Sequence, residues 1–367
     1  MSFYEVIKSY ENFDIDDYMN SVTEHDVERS LEKDNLDEYD LLNLLSKKAV
    51  KYLEKMAQKS NAITNQYFGK TISLYTPMYI ANYCINKCVY CGYNVESGIK
   101  RKKLNMDEIK VEGEAISKEG FKHLLLLTGE SNVHSNVEYI GKAVETLKSE
   151  FSSIAIEVYP MEADEYEYIV NKGVDSLTVY QEVYDEKIYK EVHIKGPKSN
   201  YKFRLDAPER GAKAGMRSLS IGALLGLNDF RKETFFTLLH GKYLRKNYPQ
   251  VEISYSVPRI RPFKGCYEGI KEVNDINLVQ AMLCMRLFDN HGGINLSTRE
   301  SLDLRKNLIP LGVTKLSAGV STDVGGHSQG DEDTSQFKIS DESTVSDVKE
   351  VLTSIGYQHI FKDWERF

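Results

Sequence analysis

Residues 71–91 read TISLYTPMYIANYCINKCVYC and join two features that decide the fold. The first ten residues are rich in apolar and β-branched types, which is typical of a buried strand. Cys84, Cys88 and Cys91 follow at the spacing C-x3-C-x2-C, in a polar loop. In a barrel of parallel strands, the loop that follows a strand lies on the catalytic face. The stretch therefore predicts a strand that presents three thiols at one end of a barrel.

The sequence after this strand alternates between short apolar runs and longer amphipathic runs. Seven further strand candidates cover residues 123–129, 153–160, 176–183, 218–226, 252–259, 294–300 and 313–320. Helical patterns such as those at 106–120 and 229–247 separate them. Eight strands joined by helices predict an α/β fold of the (β/α)8 barrel type. A doubly wound open sheet is the alternative, but the G-x-G-x-x-G fingerprint of its dinucleotide-binding version is absent.

The regions on either side of the barrel have different patterns. Residues 1–70 carry leucines at helical spacing. Gly69, near the end of this segment, is typical of the residue that follows the end of a helix. Residues 319–337 are rich in Gly, Ser and Asp, which predicts a long loop. We expect an N-terminal helical extension over 1–70, a barrel over 71–320, and a C-terminal extension of loop and helix over 321–367 that closes the barrel.

Composition excludes several classes of protein. The 367 residues include 41% apolar and 28% charged types, which is ordinary for a soluble globular protein. A net charge of −8 argues against a general nucleic-acid binder. No run of about 18 apolar residues predicts a membrane span, and the N-terminus lacks the apolar core of a secretory signal. Five cysteines are too few for a disulfide framework, so we expect a reducing, cytoplasmic setting.

The three clustered cysteines predict a metal centre with one open position. Thiolates select zinc, Cu(I) or iron–sulfur clusters. Zinc usually takes four closed ligands, often from two C-x2-C pairs, and Cys266 and Cys284 are too far away in sequence to form a second pair. A [4Fe–4S] cluster held by three thiolates leaves one iron open. S-adenosylmethionine can occupy that iron through its amino and carboxylate groups.

The cysteine segment, CINKCVYCGY, resembles the signature of the radical S-adenosylmethionine enzymes, with Tyr90 as its aromatic residue. The resemblance extends over nearly the whole chain. The stretches LLLLTGE, VYQEVY, FRLDAPERGAKAG, PRIRP, LSTRES and KDWERF are similar to segments of the aromatic amino acid lyases in that superfamily. Among these lyases, the chain resembles the tyrosine lyases that make 2-iminoacetate for the thiazole of thiamine.

The resemblance implies a set of residues that bind S-adenosylmethionine. Thr128, Gly129 and Glu130 occupy the place of a Gly-Gly-Glu segment that receives the amino group, although the first glycine is here a threonine. Glu182 matches a carboxylate that accepts the ribose hydroxyls. Arg204 matches a guanidinium that binds the carboxylate of the cofactor in a two-pronged contact.

The resemblance also implies the reaction and its residues. Arg299 and Ser317 would hold the carboxylate of L-tyrosine at the barrel mouth, and His193 would meet its amine or its phenol. A radical would cleave the Cα–Cβ bond of tyrosine and give 2-iminoacetate and 4-cresol. The reaction needs an electron donor such as flavodoxin or ferredoxin. Because the imine hydrolyses readily, we expect a thiazole synthase as a partner protein.

Three alternatives remain open at this stage. A hydrogenase-maturation tyrosine lyase would carry a second cluster in a further C-terminal domain, whereas no cysteine follows Cys284. A tryptophan lyase would share the scaffold. A non-catalytic iron–sulfur or zinc-binding module would share only the cysteines, and analysis for iron, sulfide and zinc would identify it.

Overall fold

The computed structural model describes residues 2–330, 333–362 and 364 of the chain. Its strands are β1 (Thr71–Ala81), β2 (Lys87–Cys88), β3 (His123–Thr128), β4 (Ser153–Glu157), β5 (Ser176–Glu182), β6 (His193–Lys195), β7 (Ser218–Ala223), β8 (Glu252–Ser256), β9 (Gly293–Leu296), β10 (Lys315–Ser317) and β11 (Gln358–Ile360). Its α-helices are α1 (Phe3–Ser9), α2 (Ile15–Ser21), α3 (Glu24–Glu32), α4 (Glu38–Leu45), α5 (Leu53–Tyr67), α6 (Met106–Lys118), α7 (Val137–Leu147), α8 (Ala163–Lys172), α9 (Glu186–Val192), α10 (Tyr201–Leu205), α11 (Ala207–Lys213), α12 (Phe230–Asn247), α13 (Asp275–Phe288), α14 (Leu302–Leu308), α15 (Gly326–Gln329) and α16 (Val345–Ser354).

Eight parallel strands close into a barrel. Their order is β1, β3, β4, β5, β7, β8, β9 and β10, and β10 pairs again with β1. This last pairing, with Leu74 opposite Leu316, excludes a doubly wound open sheet. Each of the eight predicted strand segments overlaps one barrel strand, and the helices predicted at 106–120 and 229–247 are α6 and α12. The predicted (β/α)8 barrel is therefore confirmed.

The N-terminal region is helical, as its leucine spacing predicts. Its helices begin at polar caps; Thr23 and Asp37, for example, accept hydrogen bonds from the first turns of α3 and α4. The buried leucines of α4 pack on α12 and α13. Gln280 of α13 donates to the carbonyls of Leu44 and Ser46, so the end of α4 is satisfied by the barrel's outer layer.

The C-terminal region returns to the barrel in two places. β11 pairs in parallel with the start of β1, outside the closed ring. At the other end, Arg305 of α14 forms a buried ion pair with Asp341 and donates to the carbonyl of Ser317. Among its described residues, the predicted loop at 319–337 contains the short helix α15 and no other helix. Residues 331, 332, 363 and 365–367, which include most of the KDWERF motif, lie outside the described residues.

The described residues contain no helix that is both long and apolar enough to cross a membrane. The boundaries at residues 70 and 320 between the two extensions and the barrel stay a prediction.

Candidate active site

The loop after β1 carries the three cysteines and is held by a pairing that the sequence did not predict. β2 and β6 form an antiparallel pair in which Cys88 lies opposite His193. Asn86, which lies within the loop, fixes it through three hydrogen bonds of its side chain. Its Nδ2 donates to the Glu130 carboxylate at 2.5 Å and to the Cys84 Sγ at 3.6 Å, while its Oδ1 accepts from the backbone N–H of Lys198 at 2.9 Å.

Arg101 fixes the same loop by binding backbone carbonyls before and after the cysteines. Its guanidinium donates to the carbonyls of Asn82, Tyr93 and Asn94 at 2.6, 3.0 and 2.7 Å. The three carbonyls flank the cysteine motif on both sides. One side chain therefore joins the start and the end of the loop, and the thiols sit on a backbone with few free torsions.

Gly129 allows β3 to approach this loop closely. Its N–H donates to the Ala81 carbonyl at 2.9 Å, and a Cβ at this position would lie 2.4 Å from the carbonyl oxygen of Tyr83. Next to it, the Glu130 carbonyl accepts from Ile85 at 2.9 Å. The Thr128 hydroxyl is buried without a hydrogen-bond partner among the described residues. The predicted segment of residues 128–130 thus borders the cysteine loop, and glycine is required at its centre.

The three thiols fit a cluster better than a single ion. None of them forms a disulfide; Cys88 is buried, and Cys84 and Cys91 are half-buried. Within the described part of the chain, no three His, Cys, Asp or Glu side chains converge closely enough to hold one metal ion. Burial raises the pKa of Cys88 to about 12 and also raises that of Cys91, so a metal must displace protons when it binds. Each thiol can bind a separate iron of a multinuclear group.

Tyr90 and His193 form a buried pair beside the loop. The Tyr90 hydroxyl lies 2.7 Å from the His193 Nε2, and the His193 Nδ1 lies 2.8 Å from the Tyr189 carbonyl. The carbonyl can only accept, so Nδ1 carries the proton and Tyr90 donates to Nε2. Burial, followed by Lys198 and Arg204, lowers the pKa of His193 well below its usual value and keeps the ring neutral. Both ring nitrogens are engaged within the protein.

Glu182, at the end of β5, lies in a network of buried charges. Its Oε1 lies 2.8 Å from the Lys198 Nζ and 3.3 Å from an Nη2 of Arg204. Burial favours the protonated acid, but Lys198 and Arg204 outweigh it, and the pKa of Glu182 falls below its usual value. The backbone of Glu182 has a φ of 70°, in the left-handed region, where the register between β5 and β7 shifts.

Two connected cavities open at this end of the barrel. The thiol-side chamber comprises about 540 Å³ of empty space that is partly open to solvent, and it is lined by Tyr90, Cys91, Glu157, Tyr180, Glu182, Lys198, Leu224, Pro258, Ile260, Arg261, Arg299, Gln336 and Phe337. The inner chamber comprises about 680 Å³, also partly open to solvent, and is lined mainly by residues of β1, β3, β8, β9 and β10 and of the loops that follow these strands. The two share five wall residues: Glu157, Tyr180, Pro258, Arg299 and Phe337. The two chambers are therefore adjacent.

Arg299 stands at the shared wall. Its guanidinium lies over the Phe337 ring, 3.6 Å from the centroid, and donates to the Arg259 carbonyl at 3.2 Å. Ser317 lines the inner chamber, and its hydroxyl accepts from the N–H of Thr298 at 3.1 Å. The Ser317 side chain also shares a hydrogen bond with Tyr75, which lines the same chamber. The structure therefore brings these two predicted residues into one cavity, whereas His193 lines neither chamber.

The PRIRP segment, residues 258–262, holds together two loops at the open end of the barrel. Arg259 and Arg261 both form ion pairs with Glu300, the residue after Arg299, and Arg259 also pairs with Asp275 at 2.8 Å. These contacts hold the loop after β9 against the loop after β8. The charges of Arg259 and Glu300 are therefore already compensated within the protein.

Four residues of the site were not predicted from the sequence: Glu157, Lys198, Gln336 and Phe337. Glu157 ends β4 as Glu182 ends β5, so the same reasoning about strand ends could have found it. Lys198 has no local signal because its position follows from the pairing of β2 with β6. Gln336 donates to the Cys91 Sγ at 3.6 Å and accepts from the Tyr79 hydroxyl at 3.2 Å. Gln336 and Phe337 lie on a loop about 250 residues downstream of the cysteines, which no spacing rule connects to them.

Comparison with known proteins agrees with this arrangement. Residues 78–239 match the Radical SAM superfamily, and residues 256–358 match the Biotin and Thiamin Synthesis associated domain. Among solved structures, HydG, a maturase of the [FeFe]-hydrogenase, superposes with a TM-score of 0.90 at 27% identity. That comparison covers 98% of this chain and 80% of HydG.

Curated relatives match almost the full chain. The 2-iminoacetate synthase of Salmonella typhimurium is 38% identical over 348 residues, which cover 95% of this chain and 92% of the relative. The 2-iminoacetate synthase of Escherichia coli is 37% identical, with coverages of 95% and 93%. These identities exceed the 27% shared with the hydrogenase maturase. The resemblance read from the sequence is confirmed, and the chain belongs to the 2-iminoacetate synthase family of radical S-adenosylmethionine enzymes.

Proposed function

We propose that this protein is a 2-iminoacetate synthase that cleaves the Cα–Cβ bond of L-tyrosine to give 2-iminoacetate and 4-cresol. The observation that supports this most directly is the pair of chambers with a shared wall. One chamber borders Cys91 and the Glu182 network, and the other borders Arg299 and Ser317. Such a pair suits a cofactor and an amino acid that must react with each other while water is excluded.

The residues of the thiol-side chamber fit the cofactors of the family. When bound, the reduced [4Fe–4S] cluster and S-adenosylmethionine supply a 5′-deoxyadenosyl radical, which removes a hydrogen atom from the substrate. We assign the iron atoms to Cys84, Cys88 and Cys91. Their loop is fixed from both sides by Arg101 and Asn86, so the thiols keep their positions.

S-adenosylmethionine is assigned to the strand ends around this loop. Its amino group would meet the segment of residues 128–130, whose backbone borders the cysteines. Glu182, kept ionised by its lowered pKa, would accept the ribose hydroxyls. Arg204 would bind the carboxylate, and Tyr90 would line the adjoining wall. Lys198 joins this set because it compensates Glu182 and lies 5.5 Å from the centre of the Tyr90 ring.

The inner chamber is assigned to L-tyrosine. Arg299 and Ser317 would bind its carboxylate, since a guanidinium fork and a hydroxyl donor match the two oxygens. His193 takes a different role from the one expected. Because both of its ring nitrogens are engaged, we assign it to positioning Tyr90 rather than to contact with the substrate.

Two partners complete the proposal. A flavodoxin or ferredoxin would supply the electron that reduces the cluster. A thiazole synthase would accept 2-iminoacetate, because a free imine is hydrolysed in water to glyoxylate and ammonium. Anaerobic co-purification of the two proteins would test the second partner.

The decisive experiment is an anaerobic reaction of the reconstituted protein with L-tyrosine, S-adenosylmethionine and a chemical reductant. We expect 4-cresol, glyoxylate and 5′-deoxyadenosine in equal amounts. L-Tryptophan in place of tyrosine serves as the comparison substrate. Tryptophan fragments without 4-cresol would indicate a tryptophan lyase, and a bound cluster without any product would indicate a binding module.

A further inference from the structure

The charged residues of the inner chamber are Glu157, Arg299 and Glu300. Glu300 is compensated by its ion pairs with Arg259 and Arg261. Arg299 contacts a carbonyl and an aromatic ring but forms no ion pair among the described residues. The backbone of Glu157 belongs to β4, but its carboxylate forms neither a hydrogen bond nor an ion pair within the described part of the chain. One positive and one negative side chain therefore face the cavity without a charged partner.

Glu157 is the last residue of β4 and lines both chambers. The titratable and charged groups that face it come from every side of the mouth: Tyr75 and Tyr79 of β1, Tyr180 and Glu182 of β5, Arg299 after β9, and Lys198 and Arg204 after β6. Burial and the charge of Glu182 raise its pKa to about 7, against the opposing effect of the three basic residues. The carboxylate is thus a stronger base than one in water.

A second glutamate shows that burial alone does not produce this arrangement. Glu233 of α12 is fully buried, whereas Glu157 is half-buried, and the pKa of Glu233 is also raised to about 7. However, its two oxygens accept from the N–H of Tyr184 at 2.7 Å and from the Nδ2 of Asn228 at 2.8 Å. Glu233 therefore supports the protein itself, whereas the Glu157 carboxylate is left for a ligand.

We propose that Glu157 binds the amino group of L-tyrosine and accepts a proton from it before the hydrogen atom is removed. The inference rests on the proposed function, because it names a residue of the same site. Arg299 and Glu157 together match the carboxylate and the ammonium of an amino acid zwitterion. Because both line the wall shared with the thiol-side chamber, the amino group would lie on the side where the cofactor binds.

The proton transfer is balanced without a further reactant. One N–H bond of the tyrosine ammonium breaks, its electron pair stays on nitrogen, and the proton forms an O–H bond with a Glu157 oxygen. A neutral amine replaces the ammonium, and a neutral acid replaces the carboxylate. A general base works best when its pKa lies near the working pH, which suits this residue.

Ligand binding tests the proposal without turnover. Affinities for L-tyrosine and for 3-(4-hydroxyphenyl)propanoate, which lacks the amino group, are measured by calorimetry on the anaerobic protein with its cluster. In Glu157→Gln, we expect tyrosine affinity to fall about tenfold or more, because a charge pair is lost, while affinity for the deamino analogue stays the same. Arg299→Ala should weaken both ligands. Equal changes for the two ligands in Glu157→Gln, or no change for either, would overturn the proposal.

The pH dependence of turnover provides a second, independent test of the proton transfer to Glu157. Formation of 4-cresol by the wild type should rise with pH through about 7 as Glu157 ionises. Glu157→Gln should lose this rise, and Glu157→Asp should recover part of it. Glu233→Gln is the matched control and should retain both the rise and the preference for the amino group. A rise that persists in Glu157→Gln would contradict the proton transfer.

The result also separates this proposal from the function on which it rests. If the wild type binds no tyrosine and makes no 4-cresol, the proposed function fails and this inference fails with it. If the wild type does both and Glu157→Gln behaves in the same way, only the inference fails. Iron content and circular dichroism of each variant establish that it is folded, and Glu157→Ala replaces Glu157→Gln in the binding experiment if the latter is not.

Discussion

The charged side chains of the two chambers at the barrel mouth differ in how far they are paired within the protein. On the thiol side, Glu182 pairs with Lys198 and Arg204, and the cysteine loop is fixed by Arg101 and Asn86. In the inner chamber, Glu157 and Arg299 face the cavity with no ion-pair partner in the described residues. The charge of Glu182 is compensated within the protein before a ligand binds. The charges of Glu157 and Arg299 would be compensated by the opposite charges of a bound ligand. Changes of Glu182, Lys198 or Arg204 should therefore disturb the protein or its cofactors, and changes of Glu157 or Arg299 should chiefly disturb substrate binding.

The largest effect is expected from the cysteines. Replacing Cys84, Cys88 or Cys91 by alanine should remove the cluster and all 4-cresol formation, because each thiolate binds its own iron. Iron and sulfide analysis together with product assays measures this. As controls, Cys266→Ala and Cys284→Ala should retain both iron and activity, since one thiol is exposed and the other is buried in α13. Stoichiometric zinc in place of iron and sulfide would contradict the assignment.

Arg299 tests the inner chamber. Loss of one partner of a buried charge pair costs about 2 kcal/mol or more, so Arg299→Ala should slow 4-cresol formation about thirtyfold or more at low tyrosine. Cleavage of S-adenosylmethionine without tyrosine should persist. Arg299→Lys should recover only part of the rate, because an ammonium cannot form the two-pronged contact. Wild-type rates in Arg299→Ala would place the carboxylate elsewhere, with Arg259 and Arg261 the next candidates.

Arg204 and Lys198 test the thiol-side network. Arg204→Ala should weaken the change that S-adenosylmethionine causes in the EPR spectrum of the reduced cluster, with iron content unchanged. In Lys198→Met, the main charge that lowers the pKa of Glu182 is lost, so Glu182 should take up a proton at a higher pH. We expect the affinity for S-adenosylmethionine to fall about tenfold, with a greater loss at lower pH. Equal losses at every pH would contradict the role of Lys198.

The smallest effect concerns a carboxylate outside both chambers. Burial raises the pKa of Glu233 from 4.5, the ordinary value of a glutamate, to about 7 in the folded protein. Between these values the folded state holds a proton that the unfolded state releases, so stability falls as pH rises. Glu233→Gln should make this decline shallower, which thermal unfolding of the cluster-free protein at pH 5, 6, 7 and 8 measures. An unchanged decline would show that Glu233 does not titrate in this range.

The same contrast explains what could be read from the sequence. The strands and the cysteine motif lie within short segments, so alternation and spacing were enough to predict the barrel and the cluster, whereas Glu182 was predicted from the resemblance to the lyase family. Lys198, Gln336 and Phe337 reach the site through loops whose course depends on tertiary packing, and no local pattern marks them. His193 was located near the site, but only its hydrogen bonds show that its nitrogens are engaged. Glu157 could have been predicted, because it ends a strand as Glu182 does.

Gly92 links the cysteine motif to the far end of the chain. Its N–H donates to the Gln336 carbonyl at 3.1 Å, and a Cβ at this position would lie 2.3 Å from the same oxygen. The cysteine loop and the segment around Gln336 are therefore packed so closely that one cannot be exchanged without the other. A chimaera that takes residues 319–337 from a relative with a different course for this loop would displace Cys91 as well. A change in the loop of residues 319–337 is therefore also a change in the surroundings of the cysteines that hold the cluster.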